Sequence, residues 1–266
     1  MTSRTKPSPK PVPPSEPQTD IEESGDGHEL RMTLLDHLDE LRRRLVRAVI
    51  ALAVGVIIAV PLTEPVLRFL QVPYGERFQI LDPTGSIISF FRVALMLGAI
   101  ISIPLTTYQI LMFVLPGLTK NEKRTLFRAI PAITLLFLLG VIFAWSVLIP
   151  PALDFLQNFQ TDLFKAEWTA DGYLGFVTAL VFWMGVAFET PLIFFVLALM
   201  GMVTAGALAK NWRIAIIASA VAAAFITPTV DPVNMFLVMG PLMALYLLSI
   251  VLVLIGRRIS KVDTTS

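Results

Sequence analysis

The sequence predicts an all-α integral membrane protein: six transmembrane helices in a kinked, curved, open bundle with both termini cytoplasmic. Three observations predict it. Of 266 residues, 55% are hydrophobic and 15% charged, against about 25% charged in soluble domains, and the mean hydropathy is +0.74. The apolar residues gather into long runs, and basic residues gather at alternate ends of those runs. Such alternation marks cytoplasmic loops by the positive-inside rule.

Residues 1–29 open the chain, rich in Pro, Ser, Thr and Glu. They have too little apolar surface to offset ordering entropy and read as a disordered cytoplasmic tail. No short basic start followed by an apolar core marks a signal peptide. Spans are expected at about 45–62, 87–114, 129–149, 173–200, 214–226 and 233–255 within a domain of residues 30–258, with 259–266 as a second cytoplasmic tail. Thirteen residues of the fifth run, Ile214 to Ile226, rise only about 20 Å as helix against a hydrocarbon core of about 30 Å. Two readings compete there: half of a re-entrant hairpin, or a true span that thins the bilayer.

Charge sets the orientation. Arg42, Arg43, Arg44 and Arg47 precede the first run; Lys120, Lys123, Arg124 and Arg128 follow the second; Lys210 and Arg213 follow the fourth; Arg257, Arg258 and Lys261 close the chain. The alternate loops are acidic, with Lys165 among Asp154, Asp162, Glu167 and Asp171. Prolines 61, 104, 131, 191 and 241 lie in or beside the spans. Each removes a backbone donor and bends its helix.

Composition excludes much chemistry. Without cysteine there is no disulfide, thiolate metal site or cysteine nucleophile. His28 and His37 both precede the first run. A net charge of +1 gives no reason to expect nucleic acid, and no metal or cofactor is expected. An intramembrane serine protease needs a nucleophile paired with a base inside the bilayer. A proton-coupled carrier shows internal repeats and several intramembrane polar groups. Neither pattern is found, and an enzyme is not expected.

Three segments carry candidate function. His37-Leu38-Asp39-Glu40-Leu41-Arg42-Arg43-Arg44-Leu45 has leucines at spacings of three and four, an interfacial helix entering the membrane. Its acids also fit plain i,i+4 pairing with Arg43 and Arg44. Tyr108 to Arg124 contains Pro116-Gly117, which stops a helix, then Thr119 and Glu122, whose spacing fits a capping box. Phe188-Glu189-Thr190-Pro191 places an acid near the middle of the fourth run. A charge there costs about 2.5–3.5 kcal/mol on insertion scales, so it faces the bundle interior or a wet cavity, or stays protonated. Pro191 frees the Ala187 carbonyl. Asp231, before Pro232, reads as the cap of the sixth helix.

These segments, in this order, resemble the TatC family over about residues 30 to 258. The resemblance implies a bacterial inner-membrane receptor for the twin-arginine signal peptides of folded cargo, driven by the proton-motive force and without covalent chemistry. It implies that Glu40 and Glu122 hold the paired arginines, beside Leu45, Phe113, Arg42 and Lys120. Glu189 is implied to face a polar groove where single-span TatA and TatB dock, and homo-oligomers within a receptor complex are expected. Two arginine forks on two carboxylates would separate Arg-Arg from Lys-Lys, because an ammonium cannot form the bidentate pair. Leu247 and Met235 stand where family members often carry Glu and Gln, which leaves Glu189 fewer polar neighbours.

Overall fold

The structure, a computed structural model, describes the backbone of residues 25–75, 77–114, 120–163, 167–199, 201–227, 229 and 231–263. Side chains are described for 38–75, 77–113, 131–163, 167–198, 201–227, 229 and 231–255. Two units are distinguished, residues 1–43 and 44–266. In the first, the described residues form the N-terminal part of helix α1, Gly25–Gln71. The expected tail at 1–29 therefore lies outside the described residues, except for 25–29, which are helical.

The second unit is helical throughout its regular structure. After α1 come α2 (Gly85–Val114), α3 (Lys120–Phe143), a π-helical turn (Ala144–Leu148), α4 (Ile149–Asn158) and α5 (Ala170–Phe188). They are followed by α6 (Thr190–Leu199), α7 (Ala205–Lys210), α8 (Trp212–Ile226) and α9 (Pro232–Asp263). Among the described residues there is no strand, only one isolated parallel bridge between Gln79 and Thr169. Among the described residues, five stretches are long and apolar enough to cross a bilayer: Leu38–Gln71, Gly85–Phe113, Pro131–Asn158, Ala170–Ala198 and Pro232–Ile255. Trp212–Ile226 is a shorter apolar helix.

Several helices outrun the apolar runs that announced them. The first, expected to end at Leu62, continues to Gln71 with Pro61 and Pro65 inside it. Its last turns are amphipathic. Val66, Leu67 and Leu70 pack on the core, while Arg68 pairs with Glu64 at 2.8 Å on the exposed side. The third, expected to end at Ile149, runs on through the π turn to Asn158. The wider turn directly precedes Pro150 and Pro151, which have no N–H to offer the preceding carbonyls. The ninth helix extends to Asp263, into the segment read as a tail.

The core lies between helices rather than inside a solvent-shielded globule. Ile57 is 71% exposed and Phe225 85%. So much outward apolar surface belongs against lipid rather than water. Lipid gives helices no hydrophobic reason to associate, so close packing through small residues takes over. α5 sits against α3 where two glycines meet. A Cβ on Gly140 would stand 2.6 Å from the Met184 carbonyl oxygen, and one on Gly185 would stand 2.6 Å from the Phe137 ring. α6 and α8 both pack on α9, and α2 packs on α5.

The connections are capped as their residues dictate. Thr169 accepts from the Gly172 N–H at the start of α5, and Thr204 from the Ala207 N–H at the start of α7. Asp231 Oδ1 accepts from the Asn234 N–H at 2.7 Å, and its Oδ2 from Asn234 Nδ2 at 2.9 Å. Pro232 occupies the first position of α9, where its missing N–H costs nothing. Burial alone would raise the Asp231 carboxyl, but hydrogen bonds, first from the Asn234 N–H and then from Thr229, the Asn234 side chain and Asp231's own backbone, outweigh it and hold the group below its usual range.

A buried acid in α5–α6 and the candidate receptor segments

Glu189 interrupts the fourth apolar run. α5 ends at Phe188 and α6 begins at Thr190. Pro191 has no N–H for the Ala187 carbonyl, and the Glu189 N–H turns back to the carbonyls of Ala187 and Val186 instead. The Glu189 carbonyl then starts the next helix, accepting from the N–H groups of Leu192 and Ile193 at 3.1 and 3.0 Å. The chain thus leaves one helix and enters another at the residue that carries the charge.

The Glu189 side chain is 7% exposed. Thr107 Oγ1, on α2, stands 3.4 Å from each carboxylate oxygen. Around this pair the walls are apolar. The Phe188 ring lies 5.3 Å from that of Phe143, and Leu192 and Val196 pack with Leu111, Met112 and Ile133. One turn of α2 around Thr107 adds more polar surface. Gln109 is 7% exposed, and its Oε1, like Thr106 Oγ1, is buried without a hydrogen-bond partner. Met235, at one of the two positions expected to be polar, packs partly buried against the core, and Leu247, at the other, is 59% exposed. The polar neighbour that the carboxyl does have comes from Thr107, a residue the sequence reading passed over. A threonine pair in an apolar run was the available signal.

The remaining candidates are divided between the two units. Glu40 and Arg42 belong to the first unit and lie on α1, Glu40 half-buried and Arg42 exposed. There Arg43 Nε donates to the Asp39 carbonyl at 3.3 Å, one turn back along the helix. In the second unit, Leu45 is 59% exposed and Phe113, at the end of α2, is half-buried. Lys120 and Glu122 lie in the first turn of α3, and their side chains are outside the described residues, as is Pro116. Pro191 is buried at the start of α6. Among the described residues no group of three or more His, Asp or Glu side chains could hold a metal ion.

Comparison with known proteins extends this picture. The family model described as "Sec-independent protein translocase protein (TatC)" matches residues 36–241. The Sec-independent protein translocase protein TatC of Synechocystis sp. is 37% identical over 219 residues, 82% of this chain and 86% of the relative. The chloroplastic TATC of Oryza sativa is 34% identical over 219 residues, 81% of this chain and 61% of the relative. A crystal structure titled as the twin arginine translocase receptor TatC superposes with a TM-score of 0.74 at 33% identity, covering 83% of this chain and 99% of that one.

Proposed function

Because the chain belongs to the TatC family of Sec-independent protein translocase proteins, we propose that it is the membrane receptor that binds twin-arginine signal peptides of folded cargo. In this reading its partners are the single-span subunits TatA and TatB, and further copies of itself within a receptor complex. The chain is multi-pass, with several membrane-length apolar helices. Our reading adds a sixth span at Trp212–Ile226, both termini in the cytoplasm and a place in the bacterial inner membrane. The alternation of basic and acidic loops supports that orientation. Export would draw on the proton-motive force, with no covalent step.

One observation carries the proposal: the family match spans residues 36–241, the range within which Glu40, Glu122 and Glu189 fall. Glu40 and Glu122 receive the paired guanidinium groups, with Arg42, Lys120, Leu45 and Phe113 around them. Glu189 faces the site where a single-span partner docks, and its burial supports this. An acid held in a span at a cost of about 2.5–3.5 kcal/mol needs a use or a partner.

The test is crosslinking of a twin-arginine signal peptide and its Lys-Lys version in membranes carrying the parent, Glu40→Ala or Glu122→Ala. The parent is expected to prefer Arg-Arg and each variant to lose that preference. Equal crosslinking and export by all three would falsify the assignment. Glu189→Ala is expected to keep peptide crosslinking and lose crosslinking to the single-span partners.

A further inference from the structure

A second polar group lies in an apolar run, 15 residues before Thr107 on the same helix. Arg92 sits seven residues into α2, about 10 Å along the helix from Gly85. It crosses to the first turn of α5. Nη2 pairs with Asp171 Oδ1 at 2.8 Å, and Nη1 donates to the Asp171 carbonyl at 2.7 Å. Gly175 makes room for this crossing, because a Cβ there would stand 2.5 Å from Nη1. The guanidinium is not sealed: its side chain is 34% exposed, and it has N–H groups beyond the two engaged.

Arg92 forms one end of an open cavity of about 510 Å³ between α2 and α5. From the arginine the cavity continues along both helices past Met96, Ala99, Gly175 and Ala179 to Phe182. From Gly175 to Phe182 is again about 10 Å of helix. One end is cationic and hydrogen-bonding; the rest is apolar except for Thr178, whose hydroxyl donates to the Leu174 carbonyl, and is made wide by Gly175, Ala99 and Ala179. This gradient matches one class of molecule that the membrane itself supplies. A single acyl chain is narrow enough to lie along such a cavity.

We propose that the α2–α5 cavity is a binding site for an anionic phospholipid, its phosphate on Arg92 and one acyl chain along Met96, Ala179 and Phe182. The Asp171 pair holds the guanidinium at the mouth while leaving N–H groups to meet a phosphate, an oxyanion that arginine recognises well. The site is independent of the receptor assignment, since none of its residues belongs to the proposed peptide or partner sites.

The experiment is native mass spectrometry of the full chain released from vesicles of equal phosphatidylglycerol and phosphatidylcholine. The parent is expected to retain phosphatidylglycerol preferentially. Arg92→Gln should lose that preference by about five-fold, the contribution of one interfacial basic residue to anionic-lipid attraction. Ala179→Phe keeps the arginine and fills the cavity, and should lower retention of both lipids. Thermal unfolding in detergent checks that each variant is folded. Retention like the parent's in folded Arg92→Gln, or unchanged retention of both lipids in folded Ala179→Phe, overturns the proposal.

Discussion

Thr107 and Glu189 meet across 82 residues of chain, the hydroxyl oxygen standing 3.4 Å from both oxygens of the carboxyl group. The contact joins α2 to the break between α5 and α6. It is the polar side-chain partner seen for an acid that is 7% exposed. Removing the hydroxyl therefore leaves a buried group short of a partner. Thr107→Val is expected to lower stability by about 1–3 kcal/mol, with Thr107→Ser close to the parent. Unfolding in mixed micelles measures this, and a valine variant as stable as the serine one would show that the contact contributes nothing.

The glycine contact between α3 and α5 gives a graded prediction. At Gly140 the obstacles to a Cβ are the Met184 carbonyl and the Gly185 Cα, which are backbone. At Gly185 the obstacle is the ring of Phe137. A ring can rotate or be replaced; a backbone cannot give way without moving a helix. Both Gly140→Ala and Gly185→Ala overpack, at a typical cost of about 1–3 kcal/mol. Gly140→Ala should cost more, and Phe137→Leu should rescue only Gly185→Ala. Melting temperatures of the three single and two double variants decide it.

Asp231 offers a pH dependence with a definite sign. Its folded-state carboxyl is held below its usual range, so its stabilising contribution is complete above the ordinary carboxylate pKa of about 3.9. That contribution is lost as pH falls through the lower, folded value. Asp231→Ala removes the α9 cap and should cost about 0.5–2 kcal/mol at neutral pH. The gap between parent and variant should narrow toward acid. A gap that stays constant across acid titration would rule out the ionised cap.

The segment after α1 and the segment before α5 are clamped together by aromatic rings. Tyr74 stacks with Phe78 and Trp168 at centroid distances of 5.6 and 5.9 Å. Tyr173 adds rings at 5.3–5.8 Å and donates its hydroxyl to the Leu70 carbonyl at 2.8 Å. The Ala170 N–H reaches the Gln79 carbonyl at 2.9 Å. Each aromatic pair adds about 0.5–1.5 kcal/mol beyond its buried area. Trp168→Ala should open the 72–82 loop to added protease well before the helices melt, with Trp168→Phe intermediate. Equal cleavage rates in all three would count against the clamp.

What the sequence made legible follows from where each signal resides. Apolar runs report lipid contact, so the existence of the long helices could be read directly. Their ends could not. The turns from Thr63 to Gln71 and from Pro150 to Asn158 are helical because one face packs on the core, and their mixed composition hides that. Asp231 before Pro232 carried its cap in local spacing alone. Thr107 was illegible as a partner of Glu189 because the contact is tertiary. Arg92 was legible, a charge within an apolar run, yet its partner at Asp171 required the packing of α2 on α5.

The interruption at residue 189 has a practical consequence. The turn there follows from the nitrogen of Pro191 and from main-chain bonds, none of which involves the carboxyl group. Chemistry and geometry are therefore separable at this point of the chain. Replacing the acid changes what is displayed while the helix break remains; replacing the proline returns an N–H to the Ala187 carbonyl while the acid remains. A matched pair of variants could ask whether transport depends on the group shown or on the angle at which it is shown.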